Sequence, residues 1–261
     1  MNRSASVRER SLRFVPLAVV ALVAALLVAI APTGARLSPA HAFELPSWHA
    51  PLGYGEAGVD LAYNVGLGAL RSIVLACGVG LLAMVVGVGL GALAGLRGRG
   101  LDDLLERACD LVQSFPSFFL ALAVLATVRT PTRAHIGAVL LLTAWAPFAR
   151  LAVAEVRVLR RAPFVEAARA LGRSEPAIAW VHLAPNLAAV ALVQLGSTMA
   201  AVVLGEAAFA FVGLGPGDEA SLGAIVEQGV ACLARSPHVL LAAAFAIVSL
   251  NAALLRVGRS R

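Results

Sequence analysis

Glu206 sits in the outer half of a long apolar segment, where an ionisable side chain is costly and commonly functional. Two readings fit it. It lines a path through the membrane or meets another subunit, or it lies near enough to the segment's end to reach water or a backbone partner. Downstream, Gly215-Pro216-Gly217-Asp218 spells a G-x-G-D string, a pattern associated with hydrolysis by two carboxylates that share a proton. Asp218 falls in a loop and no apolar segment holds a second aspartate in its interior, so that chemistry lacks its partner group. Neither H-E-x-x-H nor G-x-S-x-G occurs. All 21 basic residues are arginine, so a Walker A loop, G-x-x-x-x-G-K-[ST], cannot form. Any ATP-driven step requires another chain to bind the nucleotide.

The other position of interest is a polar, arginine-bearing interruption at 163–186. Pro163 suits a first helical turn, and Glu166 falls in that turn, favourable at the positive helix end. Phe164, Ala168 and Leu171 recur at i, i+4 and i+7 and predict one narrow apolar face, with Gly172 ending the helix. Ser174 can cap a second helix with Glu175 and Pro176 in its first turn. Pro185 is expected to break that helix, and Asn186 to cap the next segment. The small side chains of Ala167, Ala168 and Ala170 keep the first helix shallow, so that it could seat in a partner's groove or rest on lipid headgroups.

These elements must be held by a membrane bundle. The chain of 261 residues is 60% hydrophobic and 14% charged, with a mean hydropathy of +0.86. About 20 apolar residues cross a bilayer, and six spans are expected, near 14–31, 70–96, 111–128, 135–153, 187–212 and 238–256. Sixteen arginines fall on one side of this pattern and five on the other. The positive-inside rule then places both termini and the 154–186 loop in the cytoplasm. Arginines scattered between spans do not make a nucleic-acid surface.

Ala40-His41-Ala42 could end a secretory signal, but an apolar run of about 18 residues favours a retained span. Cys77, Cys109 and Cys232 have no metal-ligand spacing. Gly87, Gly91 and Gly95 fall four apart on one helix face, where small residues admit another helix closely. Packing within the chain is favoured there over contact with a partner subunit.

Glu166-Ala167-Ala168, Gly172 and the run His182-Leu183-Ala184-Pro185-Asn186 resemble the EAA loop of ABC-importer permeases. His49-Ala50-Pro51-Leu52-Gly53 with Asp60 resembles the entry segment of the dipeptide, oligopeptide and nickel permeases. Phe115-Pro116-Ser117, Trp145 through Arg150, and Glu206 through Gly215 are similar to further motifs of that family, in the same order. Departures include Val59, Leu183-Ala184 and Leu222, which loosen any transfer of substrate specificity.

The resemblance implies an all-α type I ABC-importer permease fold. Residues 1–68 would be the tail, first span and external loop, 69–256 the permease core, and 257–261 a cytoplasmic tail. It implies a transport subunit of the inner membrane, not an enzyme, with no cofactor of its own. ATP and magnesium would be bound by partner ABC ATPase subunits. A second permease and an extracytoplasmic solute-binding protein complete the expected assembly. Glu166, Ala167, Ala168, Gly172, Phe164 and Leu171 would seat in the ATPase as a coupling helix. Glu206, Gly87, Gly91 and Gly95 would be pathway or permease-interface residues. The implied solute is a short peptide, with nickel or another small solute as the alternative. An autonomous secondary transporter would require inverted repeats or broken helices around an ion site.

Overall fold

The computed structural model describes residues 14–31, 36–98, 100–114, 116–217 and 220–258. Arg3, Arg8, Arg10, Arg13, Arg99, Arg259, Arg261, Phe115 and Asp218, all used in the sequence reading, lie outside the described residues.

The described secondary structure is helical apart from one isolated bridge between Tyr54 and Asp60. In chain order the α-helices are α1 (Val15–Ile30), α2 (Leu61–Arg97), α3 (Leu101–Ser114), α4 (Ser117–Ala126), α5 (Arg133–Leu159), α6 (Pro163–Ala170), α7 (Glu175–Ile178), α8 (Ala184–Phe211), α9 (Leu222–Ala231) and α10 (Pro237–Gly258). Among the described residues, α2, α5, α8 and α10 are long and apolar enough to cross a membrane. The fifth candidate is the pair α3 and α4, bent by 69° at Pro116. Pro116 has ψ 109°, outside the helical region, so a straight span over 111–128 is not formed. The described part of α1 has 16 residues, about 24 Å at 1.5 Å per residue against a hydrocarbon core of about 30 Å.

Asp60 starts α2 nine residues earlier than hydropathy alone suggests. Its buried Oδ1 accepts from the amides of Ala62 (2.9 Å) and Tyr63 (3.3 Å), an N-cap that satisfies two of the helix's orphan donors. The core between α2, α5, α8 and α10 is built around Phe148, Leu195, Met199, Val203, Leu250 and Leu254. A second core packs α2, α9 and α10 with Leu61, Leu222 and Val239, and the 36–60 segment closes over it through Phe43 and Leu52.

α3 is amphipathic and fastened along α5 by charge. Arg157 donates to Asp102 (Nε, 2.9 Å), Asp103 (2.9 Å) and Glu106 (2.8 Å), and Arg150 pairs with Asp110. Arg150 and Arg157, counted above among the orienting arginines, thus also position a helix.

Candidate functional site

The 163–183 hairpin lies at the end of the bundle where α2 and α5 finish. Pro163 occupies the first turn of α6, and the Ala162 carbonyl accepts from the amides of Val165 (2.9 Å) and Glu166 (3.2 Å). The other end closes as a Schellman turn. The Arg173 amide donates to Ala168 O (3.1 Å) and the Gly172 amide to Arg169 O (3.0 Å), with Gly172 at φ +79°. Arg169 Nε donates to Glu175 Oε1 at 2.6 Å across that turn. This hydrogen bond is the main cause that lowers the Glu175 carboxyl below its ordinary value, and it raises the Arg169 guanidinium in return.

Of the apolar stripe read in the sequence, α6 turns only Ala168 inward, beside Val165. Val165 and Ala168 are buried with Leu159, Ile178 and Leu183, while Phe164 is 46% and Leu171 85% exposed. Val165 and Ala168 are three apart and adjacent on the helix, so they anchor it. Phe164 and Leu171 flank that anchor, and Glu166, Ala167 and Ala170 also remain exposed. Phe164 packs toward the His182 ring, centroids 5.8 Å apart.

Pro185 does not break the chain's course. A π-turn over Ala179–Leu183 leads straight into α8, with Pro185 in the first turn, where its missing N–H leaves nothing unsatisfied. Asn186 is not an acceptor cap: its Nδ2 donates back to His182 O at 2.7 Å. Beside the hairpin, a cleft of about 1290 Å³ is lined by Arg97, Arg157, Arg160, Arg161 and Arg169, with Asp102 and Glu175.

Residues 87–259 match the family model described as the binding-protein-dependent transport system inner membrane component. The chain belongs to this family. The matched region runs from the glycine stripe of α2 through the hairpin to the end of α10. A putative peptide transport system permease protein of Brucella suis biovar 1 (strain 1330) is 34% identical over 191 residues, 72% of this chain and 63% of that protein. The oligopeptide transport system permease protein of Bacillus subtilis (strain 168) is 26% identical over 242 residues, 90% of this chain and 79% of that protein. The dipeptide transport system permease protein of Lactococcus lactis subsp. cremoris (strain MG1363) is 28% identical over 207 residues, 79% and 60% of the two. The chain thus spans less than two thirds of the Brucella relative's length.

Within this transport component the glycine stripe is occupied by its own α5. A Cβ on Gly87 would lie 2.3 Å from Trp145 O, on Gly91 2.3 Å from Ala149 O, and on Gly95 2.9 Å from Val156 Cβ. Glu206, 1% exposed, takes a partner the sequence reading did not weigh: it pairs with Arg133, whose other guanidinium nitrogen donates to Ala220 O. Seventy-three positions separate the two residues, and no local pattern links them. His49 is exposed, and Asn251 donates within its own helix to Ile247 O (2.9 Å).

Proposed function

We propose that this chain is the permease subunit of an ABC importer, supplying half of a translocation pore and coupling a partner ATPase to solute uptake. The observation that carries the reading is the geometry of α6. The helix is anchored to its bundle by Val165 and Ala168 and presents Phe164, Glu166, Ala167 and Leu171 outward. A face held so firmly on one side and left open on the other suits a partner's groove. Glu166 can meet arginines or backbone donors there, and the neighbouring arginine cleft suits a partner's acidic groups. The chain has no lysine and hence no Walker A loop, so an ATP-driven step draws on another chain, and α6 offers a contact for it.

In this assembly the chain has six spans, with α1 and the bent α3–α4 pair as two of them, and its arginine-rich end and both termini face the cytoplasm. Two ATPase subunits hold ATP and magnesium. A second permease completes the pore, and an extracytoplasmic binding protein delivers the solute. The names of the relatives support di- or oligopeptides as that solute. Closure of the ATPases would drive the two α6 helices together and rock the bundles between inward- and outward-open states.

Purification in mild detergent from the native membrane tests the reading. The full chain should bring down an ATPase, and the pair of substitutions Phe164→Ser and Leu171→Ser should lose it while the chain stays in the membrane. Solute uptake by the purified chain without any ATPase would refute the proposal.

A further inference from the structure

Uncharged polar side chains gather where α5 and α8 pass their midpoints. Gln194, Ser197 and Thr198 lie near the centre of α8, and Thr143 near that of α5. With Gln113, at the end of α3, they line one cleft of about 590 Å³ that opens beside the Pro116 bend. Its liners among the described residues include no aspartate, glutamate or arginine. A second cleft of similar size, about 610 Å³, is lined by Val74, Leu75, Val79, Leu82 and Leu141, together with Arg71 of α2 and Arg133 at the start of α5. The two faces of the bundle are chemically distinct.

The cleft with the amide and hydroxyl liners also borders a break in the hydrogen-bond ladder of α5, because Pro147 is among its liners. Pro147 lies inside α5 and has no N–H, so the Thr143 carbonyl loses its regular helical donor. In hydrocarbon, irregular backbone is tolerated only where it is buried in protein or lines a water-filled cavity. Among the described residues, the hydrogen bonds of the cleft's Thr143, Ser197 and Gln194 side chains run within single helices. Thr143 Oγ1 donates to Leu140 O, Ser197 to Gln194 O, and Gln194 Nε2 to Thr198 Oγ1, each within its own helix. Local bonds of this kind keep a hydroxyl or amide from facing lipid bare, and each such group retains further hydrogen-bonding capacity.

We infer that this cleft is the chain's half of the solute path, and that it takes the amide backbone of a peptide. Neutral donors and acceptors match the N–H and C=O groups that every peptide repeats. The absence of charge among the liners removes any strong preference for charged side chains. The inference rests on the importer reading above and adds the surface and the chemistry it offers.

The test uses the assembled complex with its ATPases and binding protein, in a background with Cys77, Cys109 and Cys232 replaced by alanine. Ser197→Cys should react with a membrane-impermeant thiol reagent and be protected by trialanine. Leu192→Cys, on another face of α8, should stay unreactive. Thr198→Val and Gln194→Leu should each lower trialanine uptake about tenfold, the expected effect of one unpaired polar group, with ATPase capture unchanged. Ser197→Cys that is no more reactive than Leu192→Cys, or that cross-links to the second permease and is never protected, overturns the inference. Protection by nickel ions but not by trialanine overturns the peptide assignment. Failure of the complex to assemble or to take up any solute would instead count against the importer reading, and so the two are separable.

Discussion

The Glu206 carboxylate and the Arg133 guanidinium meet between the C-terminal part of α8 and the first turn of α5, with Glu206 1% and Arg133 16% exposed. Arg133 also reaches Ala220 O, so a single side chain ties α5, α8 and the segment before α9 at one end of the bundle. Removing one member of such a pair leaves the other charged in poor solvent. Glu206→Gln should therefore destabilise the chain in detergent by about 3 kcal/mol. The double variant Glu206→Gln, Arg133→Gln should recover much of that loss, read as the thermal midpoint. Equal midpoints for the single and double variants would show that the pair is not what holds these elements.

The glycine stripe makes a contrast within one helix. Gly91→Val would force side-chain atoms into Ala149 O and Ala152 Cβ, 2.3 and 2.7 Å from an ideal Cβ. Overpacking of this kind costs about 1–3 kcal/mol or more, and folded yield should fall. Gly89→Ala has nothing within 4 Å of the new methyl and should leave yield unchanged or slightly higher.

Gly172 has empty space around it but φ +79°. Its substitution therefore acts through conformation, not crowding. Gly172→Ala should cost about 1–2 kcal/mol of local stability, and Gly172→Asn less, since asparagine tolerates this region better. Hydrogen exchange of the Gly172 and Arg173 amides, the two donors of the Schellman turn, reads the difference.

Glu175 gives the hairpin a defined pH response. Its folded pKa is lowered by the Arg169 hydrogen bond, so the stabilisation is present above the ordinary carboxylate value and is lost as pH falls through the lowered one. Exchange protection across 171–178 should stay flat from about pH 7 to about pH 5 and decline below about pH 4. Glu175→Gln should abolish that decline.

The two faces of α6 should separate stability from coupling. Val165→Ala removes two methyl groups from a fully buried site and should cost on the order of 2 kcal/mol of local stability. Leu171→Ala, at a position 85% exposed, should change stability by less than about 0.5 kcal/mol yet weaken capture of the ATPase.

Local punctuation was legible in the sequence. Pro163 and Gly172 bound α6 through capping chemistry that acts within a few residues, and the long spans follow from hydropathy. The anchoring role of Val165 and the burial of Ala168 were not legible, because Leu159, Ile178 and Leu183 decide them from outside the helix. Pro185 misled because a π-turn upstream turns a breaker into a first-turn residue. The Arg133 partner of Glu206 lies 73 positions away, and α9 has only 10 residues, too few for a periodic pattern to stand out.

Site-specific cross-linking along α6 in the native membrane tests the central claim most directly. A short bifunctional reagent on Leu171→Cys should yield an adduct with an ATP-hydrolysing subunit, and the same reagent on Val165→Cys should yield none. An adduct from neither position, with the chain intact and inserted, would contradict the account.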